Sequence, residues 1–535
     1  TSDKPGAALS IPFEGVYPLT IRIVDSQTGD VVASVMTFLN RRDPKLETPV
    51  VPFSTVVSLT SPPSLEPNGP SIVTDNARDA IVRLIDFLST FRYNVTISIQ
   101  PEIIAAFANS TVPGDVELFT KLRDLLRDRT IVNTTFAPSN PSLFAAMNLS
   151  SEFAAQLKFG EKILNRLLPG VTIQRQTWVA ADNIDAPAMS VLKSAGITSI
   201  ILLPSAQTLV TSERSLSLLG RATRTGNEMI SVISPLNGAA QLKHTQPEGS
   251  QRLAYKIAAE LLVERDDLLD QENAPTEIKM GVVAPFNDVA ESGAAVTATR
   301  VLSQSSGFSM NDFGGTFVVN PITPAVAFAP NSTSFDTSRS ASIRATRRDL
   351  DATLSMLGPD DVRRETWPSL FSLGTSTITD SPGVYITSLR TTMRAVRDAV
   401  TVTTPKSVTL SSRTGAIRIQ VRNDSDQDLT VRVRLTSAKL TLTDPSRIVV
   451  LTKGGTTELN VTATTRASGE IPISIWVSTP EGSLSVVDPI TISANVNAIA
   501  AYGQFVSLIL LLLLFAWWWS NRRSARRERL NATTV

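Results

Sequence analysis

The sequence predicts a multidomain protein that joins an α/β region to an all-β region. We expect a (β/α)7-8 barrel-like domain, a helical layer, an immunoglobulin-like β-sandwich and one C-terminal transmembrane helix. Strand and helix patterns alternate over about residues 50–325, short alternating strands fill about residues 405–495, and an apolar run of helical length follows. The predicted regions are a partial β-sandwich or N-terminal hairpin at 1–45, the barrel-like domain at 46–330, the helical layer at 331–402, the sandwich at 403–495, the transmembrane helix at 498–520 and a basic cytoplasmic tail at 521–535.

Composition excludes several classes of protein. The formal net charge is +1, so a nucleic-acid partner has no support in the overall charge. The chain has no cysteine, which excludes disulfides, thiol catalysis and cysteine-ligated metals. An extracytoplasmic chain without disulfides fits a bacterial envelope better than a eukaryotic secretory pathway.

Residues 16–39 have the pattern of a β-hairpin. The segments VYPLTIRIVD and VVASVMTFL flank the turn SQTGD, and Ile21 and Ile23 share a face opposite Thr20 and Arg22. Two strands alone are marginally stable in water. We therefore expect them to belong to a β-sandwich that begins upstream or to pack on a later domain.

From about Val50 the pattern changes to strand–helix alternation. The run VPFSTVVSL is typical of a strand buried on both faces, and Asp75 can cap the helix that follows it. That helix places five apolar residues on one face: Ala77, Ile81, Leu84, Ile85 and Leu88. Further units follow as far as a last strand, GTFVVNP, near Pro321. Seven or eight such units favour a closed barrel, and a doubly wound open sheet is the alternative.

The next two regions differ in periodicity. Residues 335–402 have helical spacing, with Ser381 and Pro382 as a helix start. From Ser407 to Ala494 the residues alternate as in strands, which predicts the immunoglobulin-like sandwich. In GAIRIQVR the inward residues are Ile417, Ile419 and Val421, and the outward residues are Arg418, Gln420 and Arg422.

An apolar stretch at Ile499–Trp519 predicts a membrane anchor. Its length matches a hydrocarbon core of roughly 30 Å, and five arginines follow it. This charge asymmetry predicts a single-pass plasma-membrane protein, with its N-terminal bulk outside the cell and its C-terminus in the cytoplasm. Export of the N-terminal region requires a signal sequence, which we expect upstream of Thr1.

Two segments carry a resemblance to a known family. They are GVYPLTIRIVD with the TFL that follows it, and SANVNAIAAYGQF with its leucine-rich span and arginine tail. Together they resemble an uncharacterised actinobacterial membrane-protein family that is typically encoded beside the lipid II flippase of peptidoglycan synthesis. The resemblance implies a secreted, singly anchored protein with no assigned activity. A second strand of that family usually ends in an Asp-Pro-Glu-like triplet, where this chain has Gln100-Pro101-Glu102. The barrel region also loosely resembles polysaccharide deacetylases and related glycosidases.

The inventory of reactive residues excludes most catalytic chemistry. The only histidine is His244, so a deacetylase site with two histidines and a carboxylate cannot form. A Ser-His-Asp triad would have to use His244, and the sequence has no G-x-S-x-G motif to supply the serine nucleophile. We expect no metal and no cofactor.

Polar residues at the ends of predicted strands are the remaining candidates for a site. If the protein is an enzyme, Glu102 and Asp182 are the acid and base or nucleophile of a glycosidase. The ligand-binding candidates are Asn140, Trp178, Asp185, Asn287 and Asp288. The competing interpretation is structural, because Asp182, Asp185, Asn287 and Asp288 precede predicted helices that they can cap.

These observations favour an extracytoplasmic, membrane-anchored binding or scaffold protein of the bacterial cell envelope, and the resemblance implies a link to the export of peptidoglycan precursors. A glycan-active hydrolase that uses two carboxylates is the alternative. We expect a partner among the membrane proteins of peptidoglycan assembly, or a glycan, and the membrane itself through Ile499–Trp519.

Overall fold

The computed structural model divides the chain into two compact units. The first comprises Thr1–Ile343 and Pro368–Ser388, and the second Arg344–Trp367 and Leu389–Val535. The structure describes residues 11–42, 49–204, 216–225, 228–236, 249–270, 278–313, 337–379, 381–410, 412–467, 469–496 and 500–530. The predicted strand GTFVVNP and His244 lie outside these residues.

The first unit begins with an antiparallel hairpin of β1 (Gly15–Val24) and β2 (Val31–Arg41). The Asp25 carboxylate accepts hydrogen bonds from the N–H groups of Gln27 and Thr28 and so stabilises the turn. Gly29 has a φ of +74°, a conformation that favours glycine.

In the described part of the chain, ten strands form the main sheet of the first unit. They are β3 (Val51–Leu59), β4 (Thr96–Ile99), β5 (Thr130–Val132), β6 (Thr172–Gln174), β7 (Thr177–Ala180), β8 (Ser199–Leu202), β9 (Ser217–Thr225), β10 (Glu228–Pro235), β11 (Met280–Pro285) and β12 (Phe308–Met310). The strand order is β6-β5-β4-β3-β11-β9-β10-β8-β7, and β12 pairs with β3. Every strand except β9 runs in the same direction.

Eight helices accompany this sheet in the described residues before 337. They are α1 (Asp75–Thr90), α2 (Pro101–Asn109), α3 (Pro113–Leu126), α4 (Pro141–Ala146), α5 (Ser150–Leu167), α6 (Ala186–Ser194), α7 (Ser250–Leu269) and α8 (Val289–Ser303). The apolar face predicted for α1 is buried. Its N-cap is Thr74, whose hydroxyl accepts a hydrogen bond from the Ala77 N–H, so the predicted cap at Asp75 is wrong by one residue.

The predicted (β/α)7-8 barrel is wrong, because the sheet is a mixed half-barrel. The run TIQRQTWVA forms two strands, since the Gln174 side chain accepts hydrogen bonds from the N–H groups of Gln176 and Thr177 and turns the chain. No ladder joins β6 to β7 among the described residues, and the sheet stays open there. The antiparallel hairpin of β9 and β10 also replaces a βα unit.

The described residues between 337 and 398 form three helices, namely α9 (Thr337–Leu354), α10 (Arg363–Leu373) and α11 (Pro382–Asp398). They fall within the predicted helical layer, and the division between the two units passes through all three. Residues 331–336 of that layer lie outside the described part of the chain.

The second unit contains a β-sandwich of two sheets. One has the order β13-β15-β19-β17 and the other β14-β21-β20-β16-β18. The strands are β13 (Val400–Thr403), β14 (Ser407–Leu410), β15 (Thr414–Asn423), β16 (Leu429–Thr436), β17 (Thr441–Leu442), β18 (Ser446–Leu451), β19 (Thr456–Thr464), β20 (Gly469–Ser478) and β21 (Ser485–Val496). Buried and exposed residues alternate along β15 as the sequence predicts.

Helix α12 (Ala500–Leu530) follows the sandwich. Across the described residues, none of the helices has the length and apolar character needed to cross a membrane. This finding contradicts the transmembrane helix predicted at Ile499–Trp519, and with it the single-pass membrane location and the cytoplasmic C-terminus.

Candidate functional site

The predicted site residues lie near one edge of the main sheet. Because all strands except β9 are parallel, their carboxyl ends share this edge, and helices α1, α2, α4, α6 and α8 each follow a strand that ends there. Ligand sites of α/β proteins form at such edges. The structure gives the seven candidate residues different surroundings.

Glu102 lies in the first turn of α2 and is buried, with 1% of its surface exposed. Its Oε1 atom accepts hydrogen bonds from the N–H groups of Ser64 at 2.8 Å and Leu65 at 2.9 Å. Burial raises the pKa of Glu102 to about 7, although these two N–H groups lower it. The Glu102 carboxylate therefore holds the loop between β3 and α1.

The residues around Glu102 hold the same loop. The Gln100 side chain accepts a hydrogen bond from the Ser61 N–H at 3.3 Å. From α11, the Tyr385 hydroxyl donates to the Leu65 carbonyl at 3.0 Å. Thus both polar members of the Gln100-Pro101-Glu102 triplet bind the backbone of one loop.

Asp182 contacts a segment from much later in the chain. Its Oδ2 atom accepts a hydrogen bond from the Thr377 hydroxyl at 2.8 Å. Thr377 also donates its N–H to the Pro138 carbonyl at 3.1 Å, and the Ser376 hydroxyl donates to that carbonyl at 2.6 Å. We call residues 375–379 the edge segment, because it lies against the carboxyl edge of the sheet.

Three of the ligand-binding candidates are helix caps. The Asp185 carboxylate accepts from the Ala188 N–H at the start of α6. Asn140 accepts from the Ser142 N–H at the start of α4, and Asp288 accepts from the Glu291 N–H at the start of α8. The caps at Asp185 and Asp288 match the structural interpretation of the sequence, and the cap at Asn140 was not predicted. Capping by Asp182 and Asn287 is wrong, because Asp185 and Asp288 are the N-cap residues of the helices that follow them.

Trp178 lines a small cavity at this edge. Its ring is 3% exposed and packs edge-on against Phe153, with centroids 5.3 Å apart. The cavity also borders Gln100, Ser139 and Asp182 and has a volume of about 40 Å³. A water needs at least about 10–15 Å³ by this measure, so the cavity admits a few waters and no sugar.

A larger cleft opens between the ends of β3 and β11. Its volume is about 470 Å³, within the usual range of roughly 300–1,000 Å³ for ligand pockets. Asn287 lines it, as do Thr60 and Ser61 after β3 and Asn76, Asp79 and Arg83 on α1. Apart from Asn287, sequence reasoning missed these residues. The available signal was the polar face of α1, where spacings of three and four residues bring Asn76, Asp79 and Arg83 together.

The described residues contain no group of three or more His, Cys, Asp or Glu side chains that could hold a metal ion. The donors at the carboxyl edge are hydroxyls, amides and separate carboxylates. The carboxylates of Glu102, Asp182, Asp185 and Asp288 each accept a hydrogen bond from a protein group.

Solved structures with likeness to parts of the chain have low sequence identity. A GH57-type branching enzyme from the archaeon Pyrococcus horikoshii is 13% identical, covers 65% of this chain and 90% of its own, and has a TM-score of 0.37. WR4, an MSP family member of C. elegans, is 12% identical, covers 19% of this chain and 99% of its own, and has a TM-score of 0.15. The E. coli chaperone DraB is 18% identical, covers 19% of this chain and 56% of its own, and has a TM-score of 0.16. At these scores the likenesses carry no functional argument.

Sequence comparison gives one family. No curated protein matches the chain. Residues 359–526, which include α11 and the sandwich, match the model of a family of unknown function, DUF6049.

Proposed function

We propose that the protein is a binding or scaffold protein of the bacterial cell envelope whose sheet edge performs no chemistry. The observation that carries this proposal is the pair of backbone N–H groups, of Ser64 and Leu65, that bind the Glu102 carboxylate. A catalytic acid must face its substrate. Glu102 lines neither the small cavity nor the larger cleft, and Asp182 bonds to the edge segment.

The resemblance in the sequence suggests where such a protein acts. Within this proposal, the protein belongs to the actinobacterial envelope and takes part in the export of peptidoglycan precursors, near the lipid II flippase. The segments GVYPLTIRIVD and SANVNAIAAYGQF support this. The match of residues 359–526 to a family of unknown function is in keeping with a resemblance to an uncharacterised family.

A glycan-active hydrolase is the second candidate, and one observation favours it. Burial raises the pKa of Glu102 to about 7, which is the range of a glycosidase general acid. However, the cavity that Asp182 borders has room for water only, at about 40 Å³. A hydrolase would need the edge segment to move away from Asp182 before a sugar could enter.

Glycan turnover separates the two candidates. Purified protein is incubated with peptidoglycan and with soluble polysaccharides, and the release of reducing ends is measured beside a muramidase as positive control. We expect no release from the wild type, from Glu102→Gln or from Asp182→Asn. Glu117→Gln, an exposed change on α3, serves as the matched control. Turnover by the wild type and by Glu117→Gln that disappears in Glu102→Gln would contradict the proposal.

A further inference from the structure

The cleft between the ends of β3 and β11 has walls of two kinds. Polar side chains come from Ser61, Asn76, Asp79, Arg83 and Asn287. The apolar residues Pro62, Val289 and Ile378 complete the lining. A cleft of about 470 Å³ with a few convergent polar groups has the size and character of a small-molecule site.

Several of these polar groups have no hydrogen-bond partner among the described residues. Within the described part of the chain, the side chains of Asn76, Asp79 and Asn287 form no hydrogen bond or ion pair, and all three residues are exposed. The Ser61 hydroxyl is buried and has no hydrogen-bond partner among the described residues. Buried polar groups are normally satisfied, so unpartnered ones at a cleft wall call for a ligand or ordered water.

The charges of the lining argue against an anionic ligand. Arg83 and Asp79 offset each other, and their side chains do not pair. The Arg83 Nη2 atom donates to the Phe286 carbonyl at 2.6 Å, and its Nε atom is buried without a partner among the described residues. The Nε and Nη2 edge, which would bind a carboxylate or phosphate in a bidentate manner, is therefore turned into the protein.

The other polar side chains of the cleft suit a ligand that carries hydroxyl groups. Asparagine amides and an unpaired carboxylate provide both donors and acceptors, as neighbouring hydroxyls of a sugar require. The apolar residues Pro62, Val289 and Ile378 can pack against its C–H groups. We propose that this cleft binds a neutral saccharide through its hydroxyls, an inference that rests on the proposed binding function and names its ligand class.

Saturation-transfer NMR on the full chain tests this inference with glucose, N-acetylglucosamine and chitobiose as neutral probes. Alanine and inorganic phosphate are the zwitterionic and anionic probes. We expect transfer to the ring protons of at least one sugar, with none to alanine and no competition by phosphate. The double change Asn76→Ala with Asn287→Ala should weaken that sugar by about tenfold, because two hydrogen bonds are lost. Both residues are exposed, so the fold should tolerate the change.

Asn94→Ala is the matched control, because Asn94 is exposed and precedes β4 at the opposite edge of the sheet. It should bind the sugar as the wild type does. Absence of binding by all three sugars, or equal binding by the double variant, would overturn the inference. Binding of alanine or phosphate that is altered in Asp79→Asn would also overturn it and assign the cleft to a charged ligand. This experiment measures sugar binding and not turnover. A negative result therefore leaves the non-catalytic proposal standing, and glycan turnover in the earlier assay would leave the sugar-binding inference standing.

Discussion

Between about pH 4.5 and about pH 7 the wild-type protein is expected to lose about 3 kcal/mol of unfolding free energy that the Glu102→Gln variant keeps. The reason is the buried Glu102 carboxyl, whose pKa is raised to about 7 in the folded state. Below about pH 4.5 the group is protonated in both states and costs nothing. As the pH rises, the unfolded state ionises first, so the folded state binds the extra proton and its stability falls. Above about pH 7 both states are ionised and the loss is complete.

Chemical denaturation at several pH values measures this difference. Glutamine keeps an oxygen that can accept from the Ser64 and Leu65 N–H groups but does not ionise in this range. The stability difference between wild type and Glu102→Gln should therefore change with pH. Glu117→Gln on α3 is the control, because Glu117 is exposed and its change should follow the wild type. A difference between wild type and Glu102→Gln that stays constant across this range would show that Glu102 is ionised in the folded protein.

Gly160→Ala is expected to destabilise the protein by about 3 kcal/mol. Gly160 lies inside α5, and a Cβ atom there would lie about 2.1 Å from the Thr134 carbonyl oxygen and 3.1 Å from the Phe136 nitrogen. Both neighbours are backbone atoms, so neither can turn away as a side chain would. The helix would have to move away from the loop that follows β5. This loop includes Pro138, whose carbonyl accepts hydrogen bonds from the edge segment.

Gly293→Ala is the matched control, because Gly293 also lies inside a helix, α8. Its Cβ would meet the Ser250 Cβ at 3.7 Å, an ordinary contact. Removing a glycine from a helix should stabilise the protein by about 0.5–1 kcal/mol. Equilibrium unfolding of both variants should therefore give changes of opposite sign. Destabilisation of similar size in the two variants would show that the close approach of the backbone at Gly160 does not decide the result.

Parts of the fold could be predicted from the sequence because burial imposes a period on it. The apolar face of α1 repeats every three or four residues, and Ile417, Ile419 and Val421 alternate with exposed residues along β15. The open sheet could not be predicted in this way. It depends on Gln174, whose side chain turns the backbone in the middle of an otherwise strand-like run. Local hydrogen bonds of this kind leave no trace in hydrophobic periodicity.

The candidate site could be predicted in part. The caps at Asp185 and Asp288 follow from their positions before predicted helices, whereas the short helix that Asn140 caps was not predicted. The hydrogen bond between Asp182 and Thr377 joins residues 195 positions apart, and no local pattern indicates it. The surroundings of Glu102 depend in the same way on a loop about 37 residues earlier in the chain.

Amide hydrogen exchange at Ser64 and Leu65 measures most directly whether Glu102 holds the loop between β3 and α1. In the wild type both amides should exchange slowly, because each donates to the buried carboxylate. In Glu102→Ala their exchange should accelerate at least about tenfold, since both N–H groups lose their acceptor. In Asp182→Ala, which removes a hydrogen bond to Thr377 and none to Ser64 or Leu65, it should stay unchanged. Fast exchange of both amides in the wild type, or equal rates in the wild type and Glu102→Ala, would contradict a structural role for Glu102 and return it to the candidates for catalysis.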